Sequence, residues 1–580
     1  MAWMRRLGRR LQWPGLVLLV VASLVLAILA ADALRDWFGA RRSLATARPA
    51  RTIPNTDVNP YGANFFLARE VEPWKVDKTL QMAAAAGIGW AKLHFTWESV
   101  EPLSKGEYLE PGTKVDAWAK YDRIVEACEK HGLRIIARLD RPPDWTRLDR
   151  TYKERPPDNL DDYGDYVYAF VRRYAGRIDH IQVWNEPNIF PEWGNRPVDP
   201  ASYVALLKVA YQRAKEANPH VYVLSAPLAI TLGQPHPEPG KWIAMSDLDY
   251  LEAMYRAGAA QWFDIYSANA FGMEFPPQDP PDPQVLNFQR VLLQRAIRER
   301  YGDEDKAVWF NEYGWNAAPE SFSPEQLIWR RVSEKMQAEY TLQGIALARE
   351  RWPWAGVFNI WYFRQVGSIP ADRADYYFRM MDVDFTPRPL YFAVQEVASH
   401  RVGVGPGRYE ETNPALQRYG QWRNVIARAA SGGATMRSER EGDSLIFTFQ
   451  GPAVDLIAPR GPEAGHLRIS LDGHSVAGLP ADAQGFSYVD LYAPEPVAQA
   501  RLPLVRGVGS GEHTLRLTVA GTRSPASSGH ACSVDAIEVL VEGAPGPVPW
   551  KALALAAGTI ATGWAAAWGW RRARRGLRAR

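Results

Sequence analysis

Two short stretches of this chain each end in a glutamate that follows an apolar, aromatic run. They are Val183-Trp184-Asn185-Glu186-Pro187 and Val308-Trp309-Phe310-Asn311-Glu312-Tyr313-Gly314. An apolar run that stops at a carboxylate is typical of a buried parallel strand whose C-terminal end opens into a polar cleft. Two such carboxylates are the groups that cleavage of a glycosidic bond requires, because one protonates the departing oxygen while the other attacks or stabilises the sugar carbon.

Strand-like and helix-like segments alternate between residues 60 and 400, and this alternation predicts the elements that position the two glutamates. Apolar residues at steps of three and four indicate helices over Ala117–His131, Tyr163–Tyr174, Tyr203–Ala217 and Ser323–Arg349. The last helix is predicted to begin at Ser323-Pro324-Glu325, a cap and first turn. The strand candidates are Gly62–Leu67, Trp90–Phe95, Leu133–Leu139, His180–Asn185, Val221–Pro227, Phe263–Ala270, Val308–Glu312 and Gly356–Tyr362.

Eight strand–helix units predict a (β/α)8 barrel, a fold in which functional residues lie at the C-terminal ends of the strands. Glu186 and Glu312 would then lie at the ends of the fourth and seventh strands. A doubly wound open sheet is the alternative architecture. That fold requires a glycine-rich first turn, and none follows Gly62–Leu67.

The two glutamate segments, in this order, resemble those of glycoside hydrolase clan A, and the resemblance covers about residues 60–400. In that clan an acid/base glutamate, usually preceded by asparagine, ends strand four, and a nucleophile ends strand seven. Within the clan the chain looks most like the xylosidase and iduronidase family and the bacterial endoglycosidases that accompany exopolysaccharide export. The resemblance implies that Glu186 is the acid/base and Glu312 the nucleophile, with no metal and no organic cofactor. Carboxyl groups about 5–5.5 Å apart would make the reaction a retaining one.

The resemblance and the positions after the predicted strands also give candidate substrate-binding residues around the barrel mouth. Asn185 is expected to bind a sugar hydroxyl, by resemblance the 2-OH, and Trp361 to form the platform beneath the reactive sugar, with a core aromatic as its alternative. Glu101, in the Trp-x-x-x-Glu-Pro loop, is predicted to be structural. The other candidates are Asn64 after strand one, His94 and Trp97 after strand two, Asp140 and Trp145 after strand three, and Trp193 and Trp315 after the catalytic strands.

Two positions depart from the clan pattern. Lys92 stands where the clan commonly has an arginine that supports the nucleophile, and lysine lacks the bidentate fork of arginine. The sixth strand reads Asn269-Ala270-Phe271 where many relatives have His-x-Tyr, so a phenol that usually touches the nucleophile is missing. An altered substrate, lower activity and an inactive barrel are the alternatives, and the presence of both glutamates favours activity.

A different pattern follows the barrel, from about 430 to 545. Alternating runs separated by Gly, Pro and Asp turns predict an antiparallel β-sandwich or jelly roll. The stretch around 401–430 is predicted to be a connector that contributes to the sandwich edge. Strings such as Leu471-Asp472-Gly473 resemble galactose-binding-like jelly rolls, which leaves open whether the domain binds carbohydrate or serves as a spacer. Cys128 and Cys532 lie in separate domains and are predicted to be buried free thiols.

Both ends of the chain carry apolar runs beside arginine clusters. Leu16–Ala31 follows four arginines, and either an uncleaved anchor or a signal peptide fits it. Ala552–Trp570 contains no charge and precedes an arginine-rich tail, with an amphipathic soluble helix as the alternative. The positive-inside rule places both termini in the cytoplasm and the segment between them outside.

The predicted domains are an anchor or signal peptide at 1–34, a linker at 35–60, the barrel at 61–402, the sandwich at 403–545, a transmembrane helix at 549–570 and a basic cytoplasmic tail at 571–580. The resulting hypothesis is a membrane-tethered retaining glycoside hydrolase that acts on an extracytoplasmic oligo- or polysaccharide. The alternatives are a non-hydrolytic carbohydrate-binding or assembly protein and a transglycosylase. The expected partners are the carbohydrate, the lipid membrane and polysaccharide export machinery. A net charge of +3, with basic clusters that flank apolar runs, argues against a nucleic-acid-binding face.

Overall fold

The computed structural model describes residues 53–540 apart from Gly240, Ser368, 400–402, Pro414 and Ser510, together with 20–22, 24–27, 558, 561, 564 and 568. No helix within this described part is long and apolar enough to cross a bilayer. Apart from those few terminal positions, the predicted anchor at 1–34, the linker up to residue 52, the helix at 549–570 and the basic tail at 571–580 lie outside the described residues.

Strands and helices alternate regularly through the first described domain. The strands are β1 Tyr61–Phe65, β2 Trp90–Thr96, β3 Arg134–Asp140, β4 His180–Val183, β5 Tyr222–Leu224, β6 Tyr266–Phe271, β7 Val308–Gly314 and β8 Ala355–Ile360. The helices that follow them are α1 Pro73–Ala85, α2 Ala119–Lys130, α3 Leu160–Arg173, α4 Pro200–Ala217, α5 Asp247–Arg256, α6 Val291–Arg300, α7 Glu334–Arg351 and α8 Pro389–Ser399.

The strands pair in parallel in the order β5-β4-β3-β2-β1-β8-β7-β6. A parallel bridge between Leu224 and Ile265 joins the two ends of this sheet into a ring. The predicted barrel is therefore confirmed, and the open doubly wound sheet is wrong.

The N-terminal end of the barrel is closed by the segment that precedes β1. Trp90 Nε1 donates to the Asn59 carbonyl at 3.0 Å, and Trp309 Nε1 donates to the Asn55 carbonyl at 2.8 Å. Val58 is buried between these two indoles and the lower ends of the neighbouring strands. Because this floor is filled, the open end of the barrel is the one where the C-terminal ends of the strands lie.

The predicted helix Ser323–Arg349 is wrong at its start. Ser323 caps only a short 3-10 turn, Pro324–Gln326, and its backbone amide donates to Gln326 Oε1 at 2.9 Å. The chain then leaves helical geometry, because the Val332 amide donates instead to the Asn316 carbonyl at 2.8 Å. The helix begins after a second serine, Ser333, whose hydroxyl accepts from the Met336 amide at 3.2 Å.

The second domain is built from antiparallel strands around its own apolar core. Its strands are β9 Gly407–Glu410, β10 Leu416–Tyr419, β11 Arg423–Ile426, β12 Ala434–Ser438, β13 Ser444–Gln450, β14 Ala453–Arg460, β15 His466–Leu471, β16 His474–Ser475, β17 Tyr488–Asp490, β18 Val497–Val505, β19 Glu512–Val519, β20 Cys532–Val534 and β21 Ala536–Leu540. One sheet runs β9-β21-β14-β18, the largest runs β10-β13-β19-β15-β16 with β17 on β15, and a third runs β11-β12-β20. The segment predicted as a connector thus contains three strands, β9 to β11. Cys128 and Cys532 are buried and free.

The sandwich packs against the floor of the barrel. Asn413 Nδ2 donates to Asp57 Oδ1 at 2.5 Å, and the Tyr222 hydroxyl donates to the Gly432 carbonyl at 3.2 Å. A polar cavity of about 360 Å³ lies between the two domains, lined by residues such as Arg134 and Glu411. The sandwich therefore lies at the end of the barrel opposite to the strand tips that carry Glu186 and Glu312.

Candidate active site

Glu186 lies just beyond the end of β4, where the backbone leaves the extended conformation. Trp184 has a φ of 72° and Glu186 a φ of 39°, which is why the strand stops at Val183 and not at Asn185 as predicted. The Glu186 amide donates to the Pro227 carbonyl at 3.0 Å and so holds the turn against the segment after β5. Left-handed conformations in non-glycine residues cost roughly 1–3 kcal/mol each and are found mostly at functional sites.

Glu186 is held and tuned by its surroundings. Asn269 Nδ2, from β6, donates to Glu186 Oε1 at 2.5 Å. Burial, and after it the charge of Glu312, raises the pKa of Glu186 to about 8. The side chain is therefore protonated at neutral pH, which is the state that a general acid needs.

Glu312 lies within β7 and is only 8 % exposed. Lys92 Nζ, from β2, lies 3.7 Å from Glu312 Oε1. Burial lowers the pKa of Lys92 to about 8, although the nearby Glu312 acts in the opposite direction. Lys92 thus places a single ammonium group beside Glu312, where the clan pattern has a guanidinium.

Asn269 bonds Glu186 and lies beside Glu312 in the neighbouring strand, and sequence reasoning named it only as a departure from the clan pattern. Its Oδ1 accepts from Asn311 Nδ2 at 3.0 Å, which fixes the orientation of the amide and turns its NH2 group toward Glu186. A register irregularity between Ala268 and Asn269 places Asn269 beside Glu312 in the ladder. A bulge of this kind has no signature in a short apolar run, so the sequence did not reveal the role of Asn269.

A second group of charged residues lies at the ends of β2 and β3. His94 Nε2 contacts Asp140 Oδ1, Arg138 Nε donates to Asp140 Oδ2, and Arg138 Nη2 lies 3.5 Å from Glu192 Oε2. Burial by itself would raise the pKa of Asp140, but Arg138 and His94 outweigh it and hold the pKa well below its usual range. Burial raises the pKa of Glu192 to about 7. Among these residues the sequence suggested His94 and Asp140, whereas Arg138 and Glu192 were missed.

Asn185 and Trp361 have the surroundings that sugar contacts require. Asn185 is 3 % exposed, and its Oδ1 has no hydrogen-bond partner among the described residues, so this acceptor is available to a ligand hydroxyl. Trp361 follows β8 and is half-buried, and its ring meets Phe66 edge to face at 5.9 Å. Their predicted roles in binding the substrate stay predictions.

Three tryptophans predicted as sugar contacts lie in the protein core. Trp97, Trp193 and Trp315 are at most 3 % exposed. Trp97 donates from Nε1 to Glu101 Oε2 at 2.6 Å and stacks on Tyr166, and Trp315 donates to the Phe275 carbonyl at 2.7 Å. Trp193 packs edge to face on Trp184 at 5.9 Å. All three rings are covered by protein in this structure, and their predicted roles in binding the substrate stay predictions.

Asn64 and Trp145 are also engaged within the protein. Asn64 Nδ2 donates to the Asn311 carbonyl at 3.1 Å, so its amide group ties β1 to β7 beneath the site. Trp145 is half-buried, and its Nε1 donates to the Glu101 carbonyl at 2.8 Å. Glu101 accepts from Trp97 and from the Gly106 amide, as a structural residue would.

No group of three or more His, Cys, Asp or Glu side chains in the described part of the chain is arranged to hold a metal ion. Phe271, where many clan members have a phenol, is buried and packs on Phe378 at 5.3 Å. The centre of the site thus consists of the carboxylates of Glu186 and Glu312, the ammonium group of Lys92, the amide of Asn269 and the partly exposed indole of Trp361.

No family model and no curated protein matches this chain. Among solved structures, it is similar to a family 39 glycoside hydrolase from the gut symbiont Bacteroides cellulosilyticus WH2, with 19 % identity over 80 % of this chain and 82 % of that chain and a TM-score of 0.43. A monomeric β-xylosidase from Caulobacter crescentus CB15 has 15 % identity over 81 % and 97 % of the two chains, with a TM-score of 0.43. The GH39 enzyme from Xanthomonas axonopodis pv. citri has 14 % identity over 82 % and 96 %, with a TM-score of 0.44. At these identities the case for a function rests on the contacts described above.

Proposed function

We propose that this protein is a retaining glycoside hydrolase in which Glu186 is the general acid/base and Glu312 the nucleophile. One observation carries the proposal. Two carboxylates at the open end of one barrel have different surroundings, since burial raises the pKa of Glu186 to about 8 while Glu312 is paired with Lys92 at 3.7 Å. A glycosidase needs this difference between its two carboxyl groups.

In the first step Glu312 attacks the anomeric carbon and forms a glycosyl ester, while the bond from that carbon to the leaving oxygen breaks and Glu186 gives its proton to that oxygen. Asn269 donates to Oε1 of Glu186, so the proton lies on Oε2. In the second step Glu186, now a carboxylate, takes a proton from water, and the resulting oxygen displaces Glu312 from the sugar.

The test uses aryl glycosides with good and poor leaving groups on two variants. Glu312→Gln should lose turnover of every substrate, because no ester can form. Glu186→Gln should lose about 10²–10⁴-fold on poor leaving groups and much less on good ones, because general acid catalysis contributes that much only where the departing oxygen needs a proton. Proton NMR of the first-formed sugar should show retained configuration. Full turnover by Glu312→Gln would contradict the proposal.

A non-hydrolytic carbohydrate-binding protein is the second candidate, and Lys92 is the observation that favours it. A lysine with a pKa of about 8 and one contact at 3.7 Å supports the nucleophile less firmly than a bidentate arginine would. Saccharide binding without cleavage, unaffected by either glutamine substitution, would support this candidate. Transglycosylation uses the same intermediate and is distinguished by chain-lengthened products.

We further propose that the protein is tethered to the cell membrane by its terminal segments, with residues 53–540 outside the cytoplasm. The apolar runs Leu16–Ala31 and Ala552–Trp570, with their flanking arginines, support this. The substrate would then be an extracytoplasmic oligo- or polysaccharide, and polysaccharide export machinery a partner. Resistance to alkaline carbonate extraction, with protease access to the sandwich only from outside, would be the expected result, and full release into the soluble fraction would contradict it.

A further inference from the structure

An exposed aromatic side chain lies on the loop that carries the acid/base. Phe190 follows Glu186 in the loop after β4 and is 44 % exposed. Its ring centroid lies 5.2 Å from that of Tyr152, at an interplanar angle of 77°. Tyr152 belongs to the neighbouring loop, after β3, so two loops at the open end of the barrel bring their aromatic rings together.

The loop is anchored on both sides of Phe190, and the ring remains uncovered. Asn188 is fully buried and donates to the Ala229 carbonyl at 2.9 Å, and its Oδ1 accepts from the Ala229 amide at 2.9 Å. The Phe190 amide donates to the Ile243 carbonyl at 3.0 Å, and the following Trp193 is buried. These anchors use the backbone and the flanking side chains, so a polar side chain at position 190 would satisfy them equally well.

The loop that carries Tyr152 is also fixed. Asn195 Nδ2 donates to Asp149 Oδ2 at 2.8 Å, and Arg155 Nη1 donates to Asn195 Oδ1 at 2.8 Å. Arg141, at the end of β3, donates to Glu154 at 2.6 Å. The aromatic pair is therefore held in place before any ligand arrives, which lowers the entropic cost of stacking a ligand on it.

The position of Phe190 relative to Glu186 indicates which part of a substrate Phe190 would contact, the leaving group or the sugar that reacts. A general acid lies beside the oxygen of the leaving group, so the leaving sugar is on the Glu186 side of the mouth. Trp361 follows β8, which lies opposite β4 in the ring of eight strands. Four residues span at most about 14 Å, so Phe190 lies no further than that from Glu186. Its loop follows β4, across the ring from β8.

We propose that Phe190, supported edge to face by Tyr152, is a platform on which a sugar ring of the leaving group stacks, so that the substrate is an oligo- or polysaccharide and not the glycoside of a small alcohol. The proposal rests on the proposed function, because Glu186 as acid defines the leaving-group side. The apolar C–H face of a pyranose suits an exposed aromatic face, and the Tyr152 hydroxyl, which has no hydrogen bond within the described residues, is available to a sugar hydroxyl.

The test measures saccharide binding by the full-length Glu312→Gln protein, which does not turn over its ligand. The probes are a panel of mono- to hexasaccharides of common β-linked glucans, mannans and xylans, together with methyl glycosides of the same sugars. Adding Phe190→Ala, which removes the stacked ring, or Tyr152→Ala, which removes its support, should weaken binding of the longer saccharides by about three- to tenfold. Phe190→Tyr should restore it. Binding of the methyl glycosides, whose leaving group carries no ring to stack, should not change.

Phe392→Ala is the matched control, since this phenylalanine is 55 % exposed on α8, outside the mouth. Equal effects on long saccharides and on methyl glycosides would overturn the inference, and so would no effect of Phe190→Ala or no saccharide binding at all. Failure of the proposed function is seen separately, as turnover by Glu312→Gln in the aryl glycoside assay.

Discussion

At the scale of single residues, the protonation of Glu186 is controlled from a neighbouring strand. Asn269 donates to one carboxyl oxygen, and a hydrogen bond to the charged form lowers the pKa, so it opposes the larger effect of burial. The value of about 8 is the balance of these influences. Activity that needs the protonated form is therefore expected to fall as the pH rises through that value.

Asn269→Leu should move the alkaline limb of the kcat/KM profile upward by roughly 1 pH unit, because loss of the donor leaves burial to act alone and raises the pKa of Glu186 further. Lys92 also titrates near pH 8, so the profile is best measured in a Lys92→Arg background, where the guanidinium stays charged. Asn195→Ala, which removes a loop contact instead, is the control. A limb that stays in place with Asn269→Leu would contradict this account.

Lys92 can be tested by comparing a neutral and a charged replacement. Lys92→Met removes the cation 3.7 Å from Glu312 and should lower kcat by roughly 10²-fold, since preorganised electrostatic contacts at a reacting centre are worth this much. Lys92→Arg keeps the charge and should remain within about tenfold of the wild type. The measurement is kcat for both variants on one aryl glycoside. Equal losses of kcat would show that the positive charge at position 92 is not what supports turnover.

At the scale of elements, the sequence predicted the barrel because its strands are short apolar runs separated by helical periods. The two glutamates were predicted at strand ends because carboxylates rarely interrupt such runs for structural reasons. The end of β4 could not be predicted, since nothing in Trp184-Asn185-Glu186 indicates left-handed φ values. The burial of Trp97, Trp193 and Trp315 depends on how neighbouring strands, loops and helices pack, and composition cannot distinguish a core indole from a sugar platform.

The packing of α7 against β7 can be tested at Gly344. Alanine is favoured over glycine in a helix by about 1 kcal/mol. Here, however, a Cβ atom would clash with the Tyr313 hydroxyl, which is fixed by its bond to the Thr341 carbonyl at 2.6 Å. Gly344→Ala should therefore lower the free energy of unfolding by about 1–3 kcal/mol, as overpacked cores do. Gly461→Ala, where a Cβ would meet open space, is the control in thermal melts, and an unchanged Tm for Gly344→Ala would refute the argument.

At the scale of the whole molecule, the sandwich and the reacting groups lie at opposite ends of the barrel. Asn413→Ala removes the bond to Asp57 across the domain junction and should cost about 1.5–3 kcal/mol of stability, since the acceptor is charged. Because the junction is at the barrel floor, kcat/KM on aryl glycosides should not change. Chemical denaturation together with steady-state kinetics measures both, and a large kinetic defect in a protein that remains folded would show that the two ends are coupled.

The position of the barrel floor also determines how the open end of the barrel is oriented relative to the two ends of the described chain. The described chain enters at residue 53, beside the floor, and leaves through the sandwich that covers this floor. Held at a surface by either end, the molecule would turn its catalytic opening outward, toward the medium. With the proposed tethering and activity, such an orientation would favour a polymer strand that extends beyond the molecule over material that lies against the supporting surface.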